Sequence, residues 1–186
     1  SLASYLKPEN VNAMARVIGV GDNVVDRYPG LGVCFPGGNA LNVAVFARRQ
    51  GAVAAYVGWL GTDGAGRHIR QVLQQEEVDV SRVRMIEGSN AYDVVELSDG
   101  ERNFVGSSRG VAASFALAGG DVAFVRGFDV IHTSVYSRTE PHLRALREAC
   151  GTLSFDYSSL QKLPRGYLEA TLPCVDIACI SVGTLP

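Results

Sequence analysis

Polar side chains follow the first apolar segment of the chain. Asp22, Asn23 and Asp26 come directly after or near the end of residues 16–21, which read as a short buried strand. Carboxylate and amide oxygens accept hydrogen bonds, so this set suits a ligand rich in hydroxyl groups. In open α/β sheets, ligands bind beyond the carboxyl ends of the strands, where these residues are expected to lie. Taken alone, the pattern favours solvated loop acids or a helix cap.

A second constellation is a glycine pair, Gly37 and Gly38, directly before a predicted helix at residues 39–50. Two glycines allow the backbone to approach a ligand closely or to act as a hinge. The start of a helix offers unpaired backbone amides. Asn39 and Asn42 lie three residues apart, so both side-chain amides can face the same spot. The simpler alternative is a turn followed by a capping asparagine.

Other catalytic motifs are missing from the sequence or incomplete. Gly19-x-Gly21 is followed by Val24 where a dinucleotide fingerprint needs glycine, and no G-x-x-x-x-G-K-S/T is present. No serine lies in a nucleophile-elbow motif. His132 lies inside an apolar stretch, which predicts a hydrogen-bonded core histidine rather than a base. The four cysteines form no C-x-x-C pair, and we expect free thiols in a reducing cytoplasm.

The elements that must position these residues alternate between strand and helix. This alternation predicts a parallel sheet with helices on both faces, and a hairpin with a turn at Asp99-Gly100 predicts a smaller β element beside it. Strands are predicted at residues 16–21, 52–59, 91–97, 102–106, 128–135, 153–157 and 175–182, and helices at 39–50, 68–77 and about 141–150, with Thr139 or Glu140 as the cap of the last helix.

Composition limits the class of protein. The 186 residues are 47% hydrophobic and 19% charged, which argues against disorder. A formal net charge of −2 gives no electrostatic footprint for nucleic acid, so a small ligand is the easier partner. The chain opens without an apolar leader segment, and its long uncharged stretch at residues 28–47 holds too many Pro, Gly and Asn residues for a membrane helix. We therefore expect a cytoplasmic protein without a membrane partner.

In this order and spacing, the motifs resemble the ribokinase-like (PfkB) family of carbohydrate kinases, over roughly residues 16–182. A narrower similarity, to the fructosamine (fructoselysine) 6-kinases, rests on Gly-Asp-Asn-x-Val-Asp-x-Tyr-Pro and Gly-Gly-Asn-Ala-x-Asn-Val-Ala-Val. The segments that carry the resemblance are residues 21–26, 37–44, 57–66, 77–80 and 99–104.

The resemblance implies a fold and an activity. The fold is a three-layer α/β/α sandwich with a mostly parallel sheet and a small β lid, formed by segments at about 28–37 and 88–110 within one domain. The activity is ATP-dependent phosphorylation of a sugar or sugar-derivative hydroxyl, with magnesium. The substrate would be fructosamine-like or an acidic sugar. A homodimer formed through the lid is also implied.

The resemblance implies roles for individual residues as well. Arg109 departs from the fructoselysine kinases, which carry an acid at about that place, and it would suit a substrate carboxylate; an exposed arginine at a strand end is the alternative. Asp156 would border the phosphate or magnesium region. The remaining assignments are Asp26 for sugar hydroxyls, Gly38, Asn39 and Asn42 for further sugar contacts, Gly37 and Gly38 as the lid hinge, and Tyr136 as a pocket residue.

One family motif is absent from the sequence. The catalytic Gly-Ala-Gly-Asp belongs to the family's C-terminal third, and Gly64-Ala-Gly66 is followed by Arg67 and matches a different segment. Residues 1–186 are therefore expected to form an incomplete domain that carries the sugar site and the lid, lacks the catalytic base and is inactive alone. A parallel sheet that stopped at the strand of residues 175–182 would also expose an edge. The alternatives are a non-catalytic sugar-binding or regulatory module of the same fold, and a Rossmann-like scaffold in which the motifs are coincidence.

Overall fold

The computed structural model describes residues 14–98, 101–159, 161 and 163–181. Strands and helices alternate as predicted, with short 3₁₀ turns between some of them. In chain order the elements are β1 (Arg16–Val20), β2 (Val24–Tyr28), β3 (Val33–Gly37), α1 (Asn39–Arg49), β4 (Val53–Val57), β5 (Trp59–Gly61), α2 (Gly64–Gln75), β6 (Arg84–Ile86), β7 (Tyr92–Ser98), β8 (Glu101–Ser108), α3 (Gly119–Val125), β9 (Val130–Ser134), α4 (Leu143–Ala149), β10 (Thr152–Ser159), α5 (Tyr167–Thr171) and β11 (Ile177–Ser181).

The central sheet is parallel and has the strand order β11-β10-β9-β1-β4. Strand β1 at its centre is largely apolar because both faces of the sheet are covered. On one face, α1 and α2 pack against Tyr56 of β4; on the other, α3 and α4 pack against Ile18 of β1. Helix α1 crosses β1 closely, since a Cβ at Gly19 would collide with the carbonyl oxygen of Ala40. The predicted α/β class, with helices on both faces of a parallel sheet, is confirmed.

A second sheet of four strands has the order β3-β2-β7-β8. We call it the lid sheet. The predicted hairpin is present as the antiparallel pair β7 and β8, while its turn at residues 99–100 lies outside the described residues. The sheet also contains β2, which pairs with β3 and β7 and was not predicted. Asp26 therefore lies on a lid strand and not in a loop after the first strand.

Three predicted elements differ from the structure for local reasons. The strand predicted at 52–59 is two strands, because β5 leaves the central sheet to pair with β6. Helix α2 begins at Gly64, four residues earlier than predicted, because the Asp63 carboxylate accepts the Gly66 N–H at 2.9 Å. A 3₁₀ turn at Glu140–His142 precedes α4, and neither Thr139 nor Glu140 caps this helix.

The last described strand, β11, lies at the edge of the central sheet, and all five of its residues are exposed. Ile177 and Ile180 are among the exposed large apolar side chains. The strand was predicted at residues 175–182, and Val182 lies outside the described residues. Among the described residues, no helix is both long enough and apolar enough to cross a membrane.

Candidate functional site

The centre of the candidate site is the Asp22 carboxylate, which follows β1. It accepts the backbone N–H groups of Asn39 and Ala40 at 2.6 and 3.2 Å. The hydroxyls of Ser134 and Ser137 donate to its Oδ1, each at 2.7 Å. Asp22 thus joins the carboxyl end of β1, the start of α1 and the end of β9. Of the two interpretations from sequence, the helix cap is the one that the structure shows for Asp22.

The glycine pair connects lid strand β3 to α1. Gly38 has φ of 110°, and a Cβ there would lie 2.6 Å from Cα of Asn23 and 2.9 Å from the Asp22 carbonyl oxygen. Only glycine fits this conformation and this close approach. Gly37 is buried as the last residue of β3. The position of the pair suits a hinge between the lid sheet and the central sheet, and the hinge remains a prediction.

Asn23 belongs to a buried hydrogen-bond network and is not available to a ligand. Its side-chain N–H group donates to the Tyr56 hydroxyl at 3.0 Å and to the Trp59 carbonyl at 2.8 Å. Its side-chain oxygen accepts from Asn90 at 3.0 Å, and the Tyr56 hydroxyl donates to the Gly21 carbonyl at 2.7 Å. Burial raises the pKa of Tyr56, so its hydroxyl stays protonated as a donor. The structure therefore separates Asn23 from the ligand set that its sequence position suggested.

Asp26 lies on β2 with a partly exposed carboxylate. In the parallel pairing of β2 and β7 it is opposite Asp93, and the Arg102 guanidinium of β8 donates to its Oδ2 at 2.9 Å. The pKa of Asp93 is raised, chiefly by burial and then by the charge of Asp26, while Arg102 acts in the opposite direction. Neither Asp93 nor Arg102 was singled out from the sequence, since only the strand register brings them to Asp26.

Asn39 and Asn42 lie in the first turn of α1 and are partly buried. The backbone N–H of Asn39 is taken by Asp22, and that of Asn42 donates to the Gly38 carbonyl at 2.9 Å. Within the described residues, neither side-chain amide has a hydrogen-bond partner. Both amides are therefore available to a ligand.

Tyr136 and Asp156 lie at the carboxyl edge of the central sheet. The Tyr136 hydroxyl donates to Oγ of Ser158 at 2.8 Å, and the Asp156 carboxylate accepts the Ser158 N–H at 2.7 Å. Ser158 has φ of 55° beside an irregularity in the β10–β11 pairing. Strained backbone of this kind clusters at functional sites. The Ser134 and Ser137 contacts to Asp22 connect this edge to the start of α1.

Arg109 is exposed directly after β8, at the start of the 3₁₀ turn Gly110–Ser114. No described residue forms an ion pair with it. Within the described part of the chain, no hydrogen bond joins Arg109 to Asp26, Asn39 or Tyr136. Among the described residues, no group of three His, Cys, Asp or Glu side chains is arranged to hold a metal ion.

His132 is a buried residue of β9, and its Nδ1 lies 3.0 Å from Oγ of Ser154. Burial lowers its pKa, although the charges of Asp22 and Asp156 act in the opposite direction. The prediction of a hydrogen-bonded core histidine is confirmed.

A pH dependence of stability follows from His132. Because the folded pKa lies below the unfolded value of 6.5, the unfolded chain binds the proton first as pH falls. The free energy of unfolding therefore has its full value above pH 6.5. Below that pH it falls, by at most about 1.4 kcal/mol per pH unit. Urea unfolding of the wild-type protein and of its His132→Asn variant, each at pH 7.5 and 5.5, measures how much the free energy of unfolding changes with pH. The His68→Asn variant, changed at an exposed histidine of α2, is the control, and equal pH dependence in all three proteins would contradict the prediction.

The chain is similar in sequence to known proteins. Residues 12–182 match the pfkB family carbohydrate kinase model. The chain is 42% identical over 176 residues to fructosamine kinase FrlD of Bacillus subtilis (strain 168), covering 91% of this chain and 60% of that protein. It is 36% identical over 162 residues to fructoselysine 6-kinase of Escherichia coli (strain K12), covering 87% and 61%. The chain thus spans about three fifths of the length of these curated relatives.

Solved structures give the same fold. A ribokinase of Arabidopsis thaliana, complexed with ribose and ATP, superposes with a TM-score of 0.73 at 21% identity, covering 90% of this chain and 60% of that one. A ribokinase of Thermotoga maritima superposes with a TM-score of 0.72 at 16% identity, covering 90% and 59%. With the family match over most of its length, the chain belongs to the pfkB family of carbohydrate kinases.

Proposed function

We propose that the intact protein, the full-length protein that contains these 186 residues, phosphorylates a hydroxyl of a sugar or sugar derivative with ATP. The substrate class is a fructosamine-like or acidic sugar. The observation that carries the proposal is that the Asp22 carboxylate accepts the first backbone N–H groups of α1. These bonds fix the start of α1 next to Gly38, and so near the lid strand that carries Asp26. The names of the two curated relatives support the fructosamine class.

The sugar would bind between the lid sheet and the first turn of α1. Asp26 would accept hydrogen bonds from sugar hydroxyls, because an ionised carboxylate acts only as an acceptor. The side-chain amides of Asn39 and Asn42 each offer both donors and an acceptor, and the glycine at position 38 allows the ligand close to the backbone. Tyr136 would contribute its hydroxyl from the end of β9. Partial exposure of Asp26 and the unpaired amides support these roles.

ATP and magnesium are implied by the family. Magnesium, when bound, would supply positive charge that offsets the charge of the phosphate oxygens in phosphoryl transfer. Magnesium sites of this class use one or two protein carboxylates together with substrate phosphates, so a single carboxylate at the sheet edge is compatible with one. Asp156 is the described residue that fits this part, since it lies at the carboxyl edge beside Tyr136. The Asp156 carboxylate would hold the magnesium ion near the carboxyl edge of the central sheet.

The direct test compares the intact protein with the 186-residue chain. The intact protein is expected to phosphorylate a fructosamine in the presence of ATP and magnesium. The 186-residue chain is expected to show no turnover above background, because its sequence has no Gly-Ala-Gly-Asp to supply the base. Turnover by the purified chain would contradict the second expectation. Sugar binding without phosphorylation by the intact protein would favour the non-catalytic sugar-binding or regulatory module.

Arg109 is proposed to select for a negatively charged substrate. Its guanidinium is exposed, and no described residue neutralises it. Arg109→Glu in the intact protein is expected to lower kcat/KM for an acidic sugar by about tenfold or more relative to a basic one, since it replaces attraction by repulsion. The Arg144→Glu variant, changed at an exposed site on α4, is the control. An unchanged ranking across acidic, neutral and basic sugars would exclude Arg109 as a specificity residue.

A homodimer through the lid sheet is part of the proposal. Large apolar side chains are exposed on β3 and β8, the two edge strands of the lid sheet, and exposed apolar surface supports an interaction site there. Sedimentation velocity of the intact protein measures this directly, and a monomer at micromolar concentration would contradict it. The apolar lid residues are Val33, Phe35, Phe104 and Val105.

A cytoplasmic location remains a prediction from composition.

A further inference from the structure

Arg102 reaches Asp26 across an intervening strand. The lid order places β7 between β2, which carries Asp26, and β8, which carries Arg102. The guanidinium nevertheless donates to Oδ2 of Asp26 at 2.9 Å. No described residue donates to the other oxygen, Oδ1. The contact therefore occupies one side of the carboxylate and leaves the other side open.

We propose that Arg102 is a positioning residue of the sugar site, which fixes the Asp26 carboxylate through Oδ2 so that Oδ1 accepts a sugar hydroxyl. This rests on the proposed role of Asp26 in sugar binding. Arg102 itself does not contact the sugar in this assignment.

The charges around Asp26 explain why a guanidinium is needed there. Asp93 of β7 is opposite Asp26 in the strand pairing. Among the described residues, Arg102 of β8 is the cation that forms an ion pair with Asp26, and its charge also acts on Asp93. Phe35 of β3 is opposite Asp26 on the other side and carries no charge. Arg27 of β2 lies over the Tyr92 ring at 3.9 Å and is not paired with Asp26. Two carboxylates in adjacent strands repel, and a shared cation allows both to stay close.

Aromatic rings hold the guanidinium in place. Arg102 lies 5.8 Å from the ring centre of Tyr28 and 5.5 Å from that of Phe104. Stacking on rings is a property of the planar guanidinium that a lysine ammonium does not reproduce in the same geometry. About half of the Arg102 side chain is exposed, so the residue is held by these contacts and not by burial. Its position is thus specified by Asp26 on one side and by the rings on the other.

The test uses sugar binding and turnover by the intact protein, with a fructosamine as the probe. Arg102→Gln is expected to raise KM by about tenfold and to change kcat by less than about twofold, since it affects binding and not the phosphoryl step. Adding Asp93→Asn to Arg102→Gln removes the second acid and is expected to recover about threefold or more of the lost affinity. Arg27→Gln removes an equal charge from the same sheet and serves as the control.

The carboxyl NMR titration of Asp93 without sugar gives a readout that does not depend on the activity. Arg102→Gln is expected to raise the pKa of Asp93 further, because the lowering effect of Arg102 is removed. An unchanged KM in Arg102→Gln, or a double variant as weak as the single one, overturns the proposal. If wild type neither binds nor phosphorylates sugars, the proposed function fails. An unchanged pKa of Asp93 in Arg102→Gln overturns the contact on which the positioning role depends.

Discussion

Asp26→Ala is expected to weaken sugar binding by the intact protein by about 100-fold, with little change in stability. The reason is that a sugar hydroxyl at the proposed site exchanges its hydrogen bond to water for one to the carboxylate. Removal of the carboxylate leaves that hydroxyl without an acceptor. Loss of a charged partner in such a site costs about 2–3 kcal/mol. The Asp26 side chain is 20% exposed and its Oδ2 is paired with Arg102, so the alanine variant leaves an exposed arginine and no buried unpaired charge.

Isothermal titration calorimetry with the sugar measures this expectation. Asp26→Asn keeps the size of the side chain and removes its charge, so an intermediate loss indicates how much of the binding is charge-assisted. Glu96→Ala, at an exposed position on β7 of the same lid sheet, is the matched control. Unchanged affinity in Asp26→Ala would reject Asp26 as a sugar ligand, and an equal loss in Glu96→Ala would point to a general effect on the lid sheet.

The central sheet could be predicted from the sequence because its signals are local. Residues 17–20 form a short apolar run, and residues 153–157 carry apolar side chains at alternate positions. Both patterns indicate strands, and the structure has β1 and β10 there. Helix α1 was predicted within one residue of its end, because the glycine pair and the apolar stripe mark it. Strand β2 was missed, because its sequence Val-Val-Asp-Arg-Tyr is short and interrupted by two charges. Its strand character depends on partners far along the chain.

The candidate site could be predicted only where one segment contains the whole signal. Gly38 and the amides of α1 are adjacent in sequence, and a glycine pair before a helix is visible without a structure. The Ser134 and Ser137 hydroxyls that hold Asp22 are 112 and 115 residues away from it. The pairing of Asp26 with Asp93 depends on strand register, which spacing does not determine.

Asp22→Ala is expected to destabilise the intact protein by about 3 kcal/mol, the largest stability effect among the residues of the site. The carboxylate accepts two backbone N–H groups and two hydroxyls, and the Asp22 backbone N–H in turn donates to Oγ of Ser137 at 3.1 Å. Loss of a helix cap costs about 1 kcal/mol, and the hydroxyls of buried Ser134 and Ser137, left without their charged acceptor, add about 1 kcal/mol each. Because the same groups fix the start of α1, sugar affinity is expected to fall as well.

Urea unfolding at pH 7.5 measures the loss as a lower midpoint at constant slope. Asp22→Asn keeps one acceptor oxygen and is expected to lose about half as much. Asp79→Ala is the control, since Asp79 is exposed and its carboxylate accepts a single backbone N–H, from Ser81 at 2.8 Å; it is expected to change stability by less than about 0.5 kcal/mol. A loss in Asp22→Ala no larger than that of Asp79→Ala would contradict the convergence of β1, α1 and β9 on this carboxylate. In that case the start of α1 would be held by the packing of Leu41 and Ala44 in the core, and the position of Asn39 and Asn42 beside the lid would depend on apolar contacts alone.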